Sequence, residues 1–124
     1  MVKFYRCTHC GQVIIKILDT NVPVVCCGEK MVEIIANTTE AAIEKHIPVV
    51  NKEGNIVFVK VGSIAHPMTN EHYIDAICLE TNKGTYFKKI TPINLPEAKF
   101  ILDEDEVVIA TYAHCNLHSL WVNK

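Results

Sequence analysis

What the sequence has little of narrows the field first. No apolar run approaches the roughly 18 residues of a membrane-spanning helix. The most apolar early stretch, Val13-Ile14-Ile15-Lys16-Ile17-Leu18, is interrupted by a lysine. Positive charge is not in excess either. Twelve Lys and Arg against 14 Asp and Glu leave a formal net charge of −2, so no basic stripe can neutralise phosphates, which argues against nonspecific nucleic-acid binding. Helical composition is confined to residues 38–45 (TTEAAIEK), where one or two turns are expected. No export signal is readable in MVKFYRC, which reaches a cysteine by residue 7. Six cysteines without such a signal point to a reducing compartment, where thiols serve as metal ligands or catalysts, so the expected location is the cytoplasm.

What is present is a globular composition, 49% apolar and 21% charged, in 124 residues. That length suits one ordinary domain, or one of about 90 residues with a small appendage. A core of about 90 residues can stand on hydrophobic burial alone, whereas a piece of some 35 residues needs a metal or disulfides. The cysteines and histidines divide the chain accordingly. Cys7, Cys10, Cys26 and Cys27 all lie in the first 27 residues, and five of the six histidines lie after residue 45. Two modules are therefore expected, residues 1–36 and residues 37–124.

Short β-type runs fill both modules. Residues 12–18 and 31–35 read as strands in the first. In the second, 47–50, 56–61, 73–80, 85–90, 98–102 and 107–112 read as strands, and a last short run surrounds Trp121. Between them lie turn sequences such as NKEGN, TNKG and DEDE. About seven strands at this spacing predict an antiparallel β-sandwich.

Cys7-Thr8-His9-Cys10-Gly11 is a CxxCG knuckle: two intervening residues let the backbone curl round one ion, and glycine can take the positive φ that closes the turn. With Cys26-Cys27-Gly28 it offers four thiolates, a tetrahedral site for iron or zinc. Adjacent residues point their side chains apart, so using both Cys26 and Cys27 demands a bent backbone. Distortion and a soft four-sulfur shell suit iron, although thiolates accept either metal. His9 reads as a surface residue.

The second constellation is spread along the chain as His46, His66, His72, His114, Cys115 and His118. A Cys-x-x-His pair can reach one ion from a single turn, and His66-Pro67-Met68-Thr69-Asn70-Glu71-His72 offers two imidazoles from one loop. Loops at one end of a sandwich converge. Several imidazoles with one thiolate suit a redox iron or copper better than a structural zinc.

The segments YRCTHCG, VVCCGEKM, EKHIPVV, KVGSIAHPMTNEHYI and CNLHSLW, in this order and spacing, resemble desulfoferrodoxin, the two-iron superoxide reductase family. The resemblance spans essentially the whole chain. It implies a desulforedoxin-like domain over 1–36 with Fe(Cys)4 held by Cys7, Cys10, Cys26 and Cys27. It implies an immunoglobulin-like domain over 37–124 with a catalytic iron. Around that iron His46, His66, His72 and His118 would be equatorial, and Cys115 axial. Glu44 would take the sixth position in the ferric resting state, and Lys45 would attract superoxide and orient a proton-donating water. The implied reaction is one-electron reduction of superoxide to hydrogen peroxide, with iron re-reduced by an external donor such as rubredoxin. A homodimer is implied as well. His114 stands where the family does not require histidine, and Ser119 where glycine is expected; Cys78 reads as a core residue.

Two rivals remain at this point: a non-enzymatic iron-binding electron-transfer protein, and a superoxide dismutase. Peroxide formed per superoxide consumed separates them: one for a reductase, half for a dismutase, none for a binder.

Overall fold

The computed structural model describes residues 1–124 and divides into two compact units, Met1–Ile35 and Ala36–Lys124. The first contains β1 (Phe4–Arg6), β2 (Val13–Ile15), β3 (Val25–Cys26), β4 (Glu29–Lys30) and β5 (Val32–Glu33). β1 lies between β2 and β5, antiparallel to both, and β3 pairs with β4. The expected strand over 12–18 stops at Ile15. Lys16 leaves the ladder and binds Asp19 Oδ1 at 3.2 Å and the Val22 carbonyl at 2.9 Å, closing a loop that leaves Ile17 and Leu18 exposed. Only Phe4, Cys7 and Met31 are buried apolar side chains in this unit. So small a core cannot offset the conformational entropy of 35 residues, which is the physical case for a metal here.

The second unit opens with α1 (Ile43–His46), shorter than the helical composition of 38–45 and displaced from it. Ala42 at its N-cap offers no side-chain acceptor. Upstream, Asn37 is held to the last strand, its Nδ2 donating to the Val122 carbonyl at 3.1 Å and its Oδ1 accepting from Val122 N at 2.8 Å. These bonds tie the chain at its entry to that strand rather than into a helical turn. Then follow β6 (Pro48–Glu53), β7 (Ile56–Val61), β8 (Ile74–Thr81), β9 (Thr85–Lys89), β10 (Glu97–Ile101), β11 (Val108–Cys115) and β12 (Ser119–Asn123).

These strands form two antiparallel sheets, ordered β10-β7-β6 and β12-β11-β8-β9. Alternation selects the faces: in β7, Val57, Val59 and Val61 are buried while Phe58 and Lys60 are exposed. Those valines share one core with Ile77, Leu79 and Ala113 of the other sheet. Three strands on four, all antiparallel, make an immunoglobulin-like sandwich.

One turn differs from expectation, and another holds a buried carboxylate. Glu53 pairs with Ile56, so Asn51–Glu53 are strand and the turn is only Gly54-Asn55, with Gly54 at φ 61°. In the acidic turn 103–106, Glu106 is buried. It accepts hydrogen bonds from Thr81 Oγ1, from Tyr86 Oη at 2.6 Å and from Asp103 N at 3.0 Å. Those donors, Thr81 first and Tyr86 second, pull its carboxyl below the ordinary range.

Candidate metal centres

The histidines and the late cysteine arrive from four places at one end of the sandwich. His46 closes α1, His66 and His72 come from the loop between β7 and β8, Cys115 ends β11, and His118 sits in the turn to β12. α1 is pressed against that loop at Gly62. A Cβ there would lie 2.6 Å from the Glu44 carbonyl oxygen and 2.9 Å from that of Ile47, so only glycine permits the approach. Backbone bonds then fix it: Ile64 N donates to the Glu44 carbonyl at 3.0 Å, and His66 N to the Val61 carbonyl at 2.9 Å.

The four imidazoles form a square. Neighbours around it, His46–His66, His66–His72, His72–His118 and His118–His46, stand 4.5–5.0 Å apart and near perpendicular, with interplanar angles of 77–85°. Across the square, His46 and His72 are 6.3 Å apart and nearly parallel at 30°. One ligand atom from each ring and Cys115 Sγ all lie within 4.8 Å of one another.

Hydrogen bonds decide which nitrogen points inward. His46 Nδ1 donates to the Ala42 carbonyl and His66 Nδ1 to the Pro67 carbonyl, each at 2.7 Å. Their Nε2 atoms therefore carry lone pairs in the neutral rings, yet they face each other at 3.1 Å. His118 Nδ1 is 3.2 Å from His46 Nε2, and buried His72 Nε2 has no hydrogen-bond partner. Converging lone pairs and an orphaned buried nitrogen are costly unless a cation lies between them.

Ionisation agrees. Burial pushes His66 down to about 4 and lowers His46 and His72 below the usual imidazole range, keeping the donors neutral. Burial pushes the Cys115 thiol up, against the backbone N–H groups of His118 and Leu117, which favour its thiolate. A metal binding here must displace that proton.

The first unit gathers Cys7, Cys10, Cys26 and Cys27, again with sulfurs within 4.8 Å of one another. Gly11 at φ 80° donates to the Cys7 carbonyl at 3.0 Å and closes the knuckle. The expected bend at the adjacent pair is a two-residue hairpin turn: Cys27 at φ 54° and Gly28 at φ 78° link the paired Cys26 and Glu29. Two successive left-handed residues reverse the chain, so both thiols reach the same point. Cys10 N lies 3.5 Å from Cys7 Sγ, and hydrogen bonds from the Cys10 and His9 backbone lower the Cys7 thiol to about 6. Cys10 and Cys26 sulfurs are 3.7 Å apart.

Glu44 and Lys45 lie exposed on α1 immediately before His46, and the Lys45 charge is felt by both His46 and His72. His9 is exposed and paired with Glu29 Oε2 at 3.2 Å. Cys78 is buried in β8, where desolvation pushes its thiol up to about 12. His114, beside Cys115, is outside the imidazole square and paired with Asp75.

Three supporting residues escaped sequence reasoning. The Trp121 indole stacks on His46, centroids 4.8 Å apart at 27°, and its Nε1 donates to the His118 carbonyl at 2.9 Å. Asn116 ties the two ligand loops together, accepting from Tyr73 N at 2.9 Å and donating to the Glu71 carbonyl at 3.0 Å. Gly62 is the third. Only Trp121 carried a signal, as an aromatic three residues after a ligand.

The desulfoferrodoxin family model matches residues 38–124. The chain belongs to the desulfoferrodoxin family. A desulfoferrodoxin from Nitratidesulfovibrio vulgaris is 40% identical over 119 residues, covering 96% of this chain and 93% of that one. A desulfoferrodoxin homologue from Archaeoglobus fulgidus is 38% identical, covering 98% and 95%. The structure is also similar to a superoxide reductase from Treponema pallidum, with a TM-score of 0.84, 40% identity and coverage of 100% and 99%. A superoxide reductase (1Fe-SOR) from Giardia intestinalis gives 0.56 at 34% identity, covering 64% of this chain and 95% of that one.

In this chain Ser119 follows His118 with φ 65°, a left-handed conformation that disfavours any residue with a Cβ by about 1–2 kcal/mol. Glycine removes that strain but adds freedom to the unfolded chain, roughly 0.5–1 kcal/mol. Ser119→Gly should therefore stabilise the protein by about 0.5–1 kcal/mol in denaturant unfolding. A loss of stability would show that the serine side chain contributes more than its backbone costs.

Proposed function

We propose that this protein is a superoxide reductase, reducing superoxide by one electron to hydrogen peroxide at a non-haem Fe(His)4(Cys) centre in residues 37–124. The single observation that carries this reading is the square of four imidazoles with one thiol, whose facing lone pairs call for a cation. Five donors exceed the four that a structural zinc takes, and a set of nitrogens with one soft sulfur suits redox iron. His46, His66, His72 and His118 would hold it through nitrogen and Cys115 through sulfur. In residues 1–36, Cys7, Cys10, Cys26 and Cys27 would hold a second iron.

Iron, when bound, supplies the electron that turns superoxide into peroxide, and two protons complete hydrogen peroxide. The chain does the rest. Burial keeps His46, His66 and His72 neutral, and Cys115 would be the anionic donor, whose charge donation would favour giving up the electron. His72 and His118 are only half-buried, so the cluster reaches the surface, where a diatomic anion can enter. Lys45, on the exposed turn, attracts that anion and holds a proton-donating water. Glu44 supplies a carboxylate to the resting site.

Each turnover consumes an electron that must come from outside, from a donor such as rubredoxin. Six free cysteines support a reducing, cytoplasmic setting. The apolar side chains left exposed on the first unit, Ile17, Leu18, Val25 and Val32, support assembly as a homodimer.

The deciding measurement is hydrogen peroxide formed per superoxide consumed, with reduced protein in excess. One per superoxide is expected; half would identify a dismutase, and none an electron-transfer protein. The two centres should also separate. Cys10→Ser should lose the first iron and keep superoxide reduction within about twofold, because the second unit has its own core and ligand set. Loss of activity in a variant that still holds its second iron would overturn that independence.

A further inference from the structure

One hydrogen-bonded pair, a buried histidine and a partly exposed aspartate, sits beside the proposed centre without belonging to its ligand set. His114 is 7% exposed, and its Nδ1 lies 2.7 Å from Asp75 Oδ1. Both residues stand where the ladder between β8 and β11 breaks register. His114 pairs with Ala76, but the next residue, Cys115, pairs with Ile74, so Asp75 is the extra residue of a β-bulge. Bulges occur beside active sites, where they re-aim a side chain. Here the residue aimed is Cys115, the last residue of β11, whose thiol joins the imidazole cluster.

A bulge gives up ladder hydrogen bonds, so the strand is held least firmly where the thiol needs the most definite position. The Asp75–His114 contact replaces the missing tie with one between side chains. Asp75 is itself anchored, because its carbonyl accepts from Ile90 N at 3.0 Å. The carboxylate also acts on the sulfur at a distance: its charge is among the influences opposing the Cys115 thiolate.

We propose that Asp75 and His114 form a positioning pair behind Cys115, fixing the sulfur's aim across the bulge and biasing the bound iron toward its ferric state. This rests on the Fe(His)4(Cys) reading above. A negative charge close to the centre stabilises the more positive oxidation state, so its removal raises the reduction potential. His114 is the link between that charge and the cysteine backbone.

The test is redox titration of the iron-loaded full chain, following the thiolate-to-iron charge-transfer band in wild type, Asp75→Asn, Asp75→Glu and His114→Leu. Asparagine keeps an acceptor for His114 and removes only the charge. It should retain iron and shift the ferrous-to-ferric ratio at fixed potential about fivefold toward ferrous, about 40 mV on the one-electron scale. Asp75→Glu should restore the ratio to within about twofold, since the charge is kept. His114→Leu should broaden and shift the band, because the sulfur is no longer held. A purely structural pair would lower thermal stability in these variants and leave potential and band unmoved. Asp75→Asn with full iron and the wild-type potential overturns the proposal. A wild-type protein without the band would overturn the metal reading, and this inference with it.

Discussion

Cys115→Ser is expected to abolish the red thiolate-to-iron band of the oxidised protein and to raise the reduction potential of the second iron. Cys115 is fully buried and is the one thiol within reach of the imidazole square. Serine is nearly isosteric, but its hydroxyl remains protonated at neutral pH, so an anionic, strongly donating ligand is replaced by a neutral one. The ferric state loses more than the ferrous, and the ferrous-to-ferric ratio at fixed potential should rise by more than tenfold, over about 59 mV. The band should vanish because its donor orbital is the sulfur's. The metal-free fold should weaken by about 1–3 kcal/mol, since a buried hydroxyl is less well satisfied there than a thiol. A band that survived would require another thiolate, and in the second unit only Cys78 remains. Its place in β8 and its thiol pushed up to about 12 make it a poor donor.

Much of this site was legible in the sequence because ligands are chemically scarce. Cysteine and histidine at knuckle and Cys-x-x-His spacing marked ten candidates, and the resemblance to desulfoferrodoxin left out His114; the structure gathers the other nine into two clusters. The sandwich was legible for a different reason. Runs such as Ile56–Val61 alternate cleanly, and alternation is a property of one strand that needs no knowledge of its partner.

What escaped depends on the partner. Gly62 is required by the carbonyls of Glu44 and Ile47, over ten residues away in sequence. Glu106 looks like one more charge in an acidic turn until Thr81 and Tyr86 are placed beside it. The strand over 12–18 was overdrawn because its apolar run continues to Leu18, while the hydrogen bonds of Lys16 end the ladder at Ile15. The short hairpin Val25–Lys30 has only two residues in each strand, too few for any periodicity to show. It is nonetheless what lets adjacent cysteines converge, so the site predicted a bend whose form the sequence did not reveal.

Lys45→Ile should slow the second-order reaction with superoxide by about tenfold and flatten its dependence on ionic strength. The chain's net charge of −2 repels an anion, so attraction must be local. Lys45 is exposed on α1 next to His46, and its charge reaches both His46 and His72 across the half-buried side of the square. A unit charge at roughly 8 Å, through an effective dielectric of about 20–40, attracts a unit anion by about 1–2 kcal/mol. Such an energy corresponds to about tenfold in encounter rate. Added salt should reproduce part of the loss in the wild type, because an exposed charge is screened over a Debye length of about 10 Å at 0.1 M. Lys45→Arg should keep most of the rate, since charge matters more here than hydrogen-bond geometry. Both variants should keep their iron, because the lysine is not a ligand. Pulse radiolysis across a salt series checks this: an unchanged rate and salt slope in Lys45→Ile would show that substrate reaches the site without steering by Lys45.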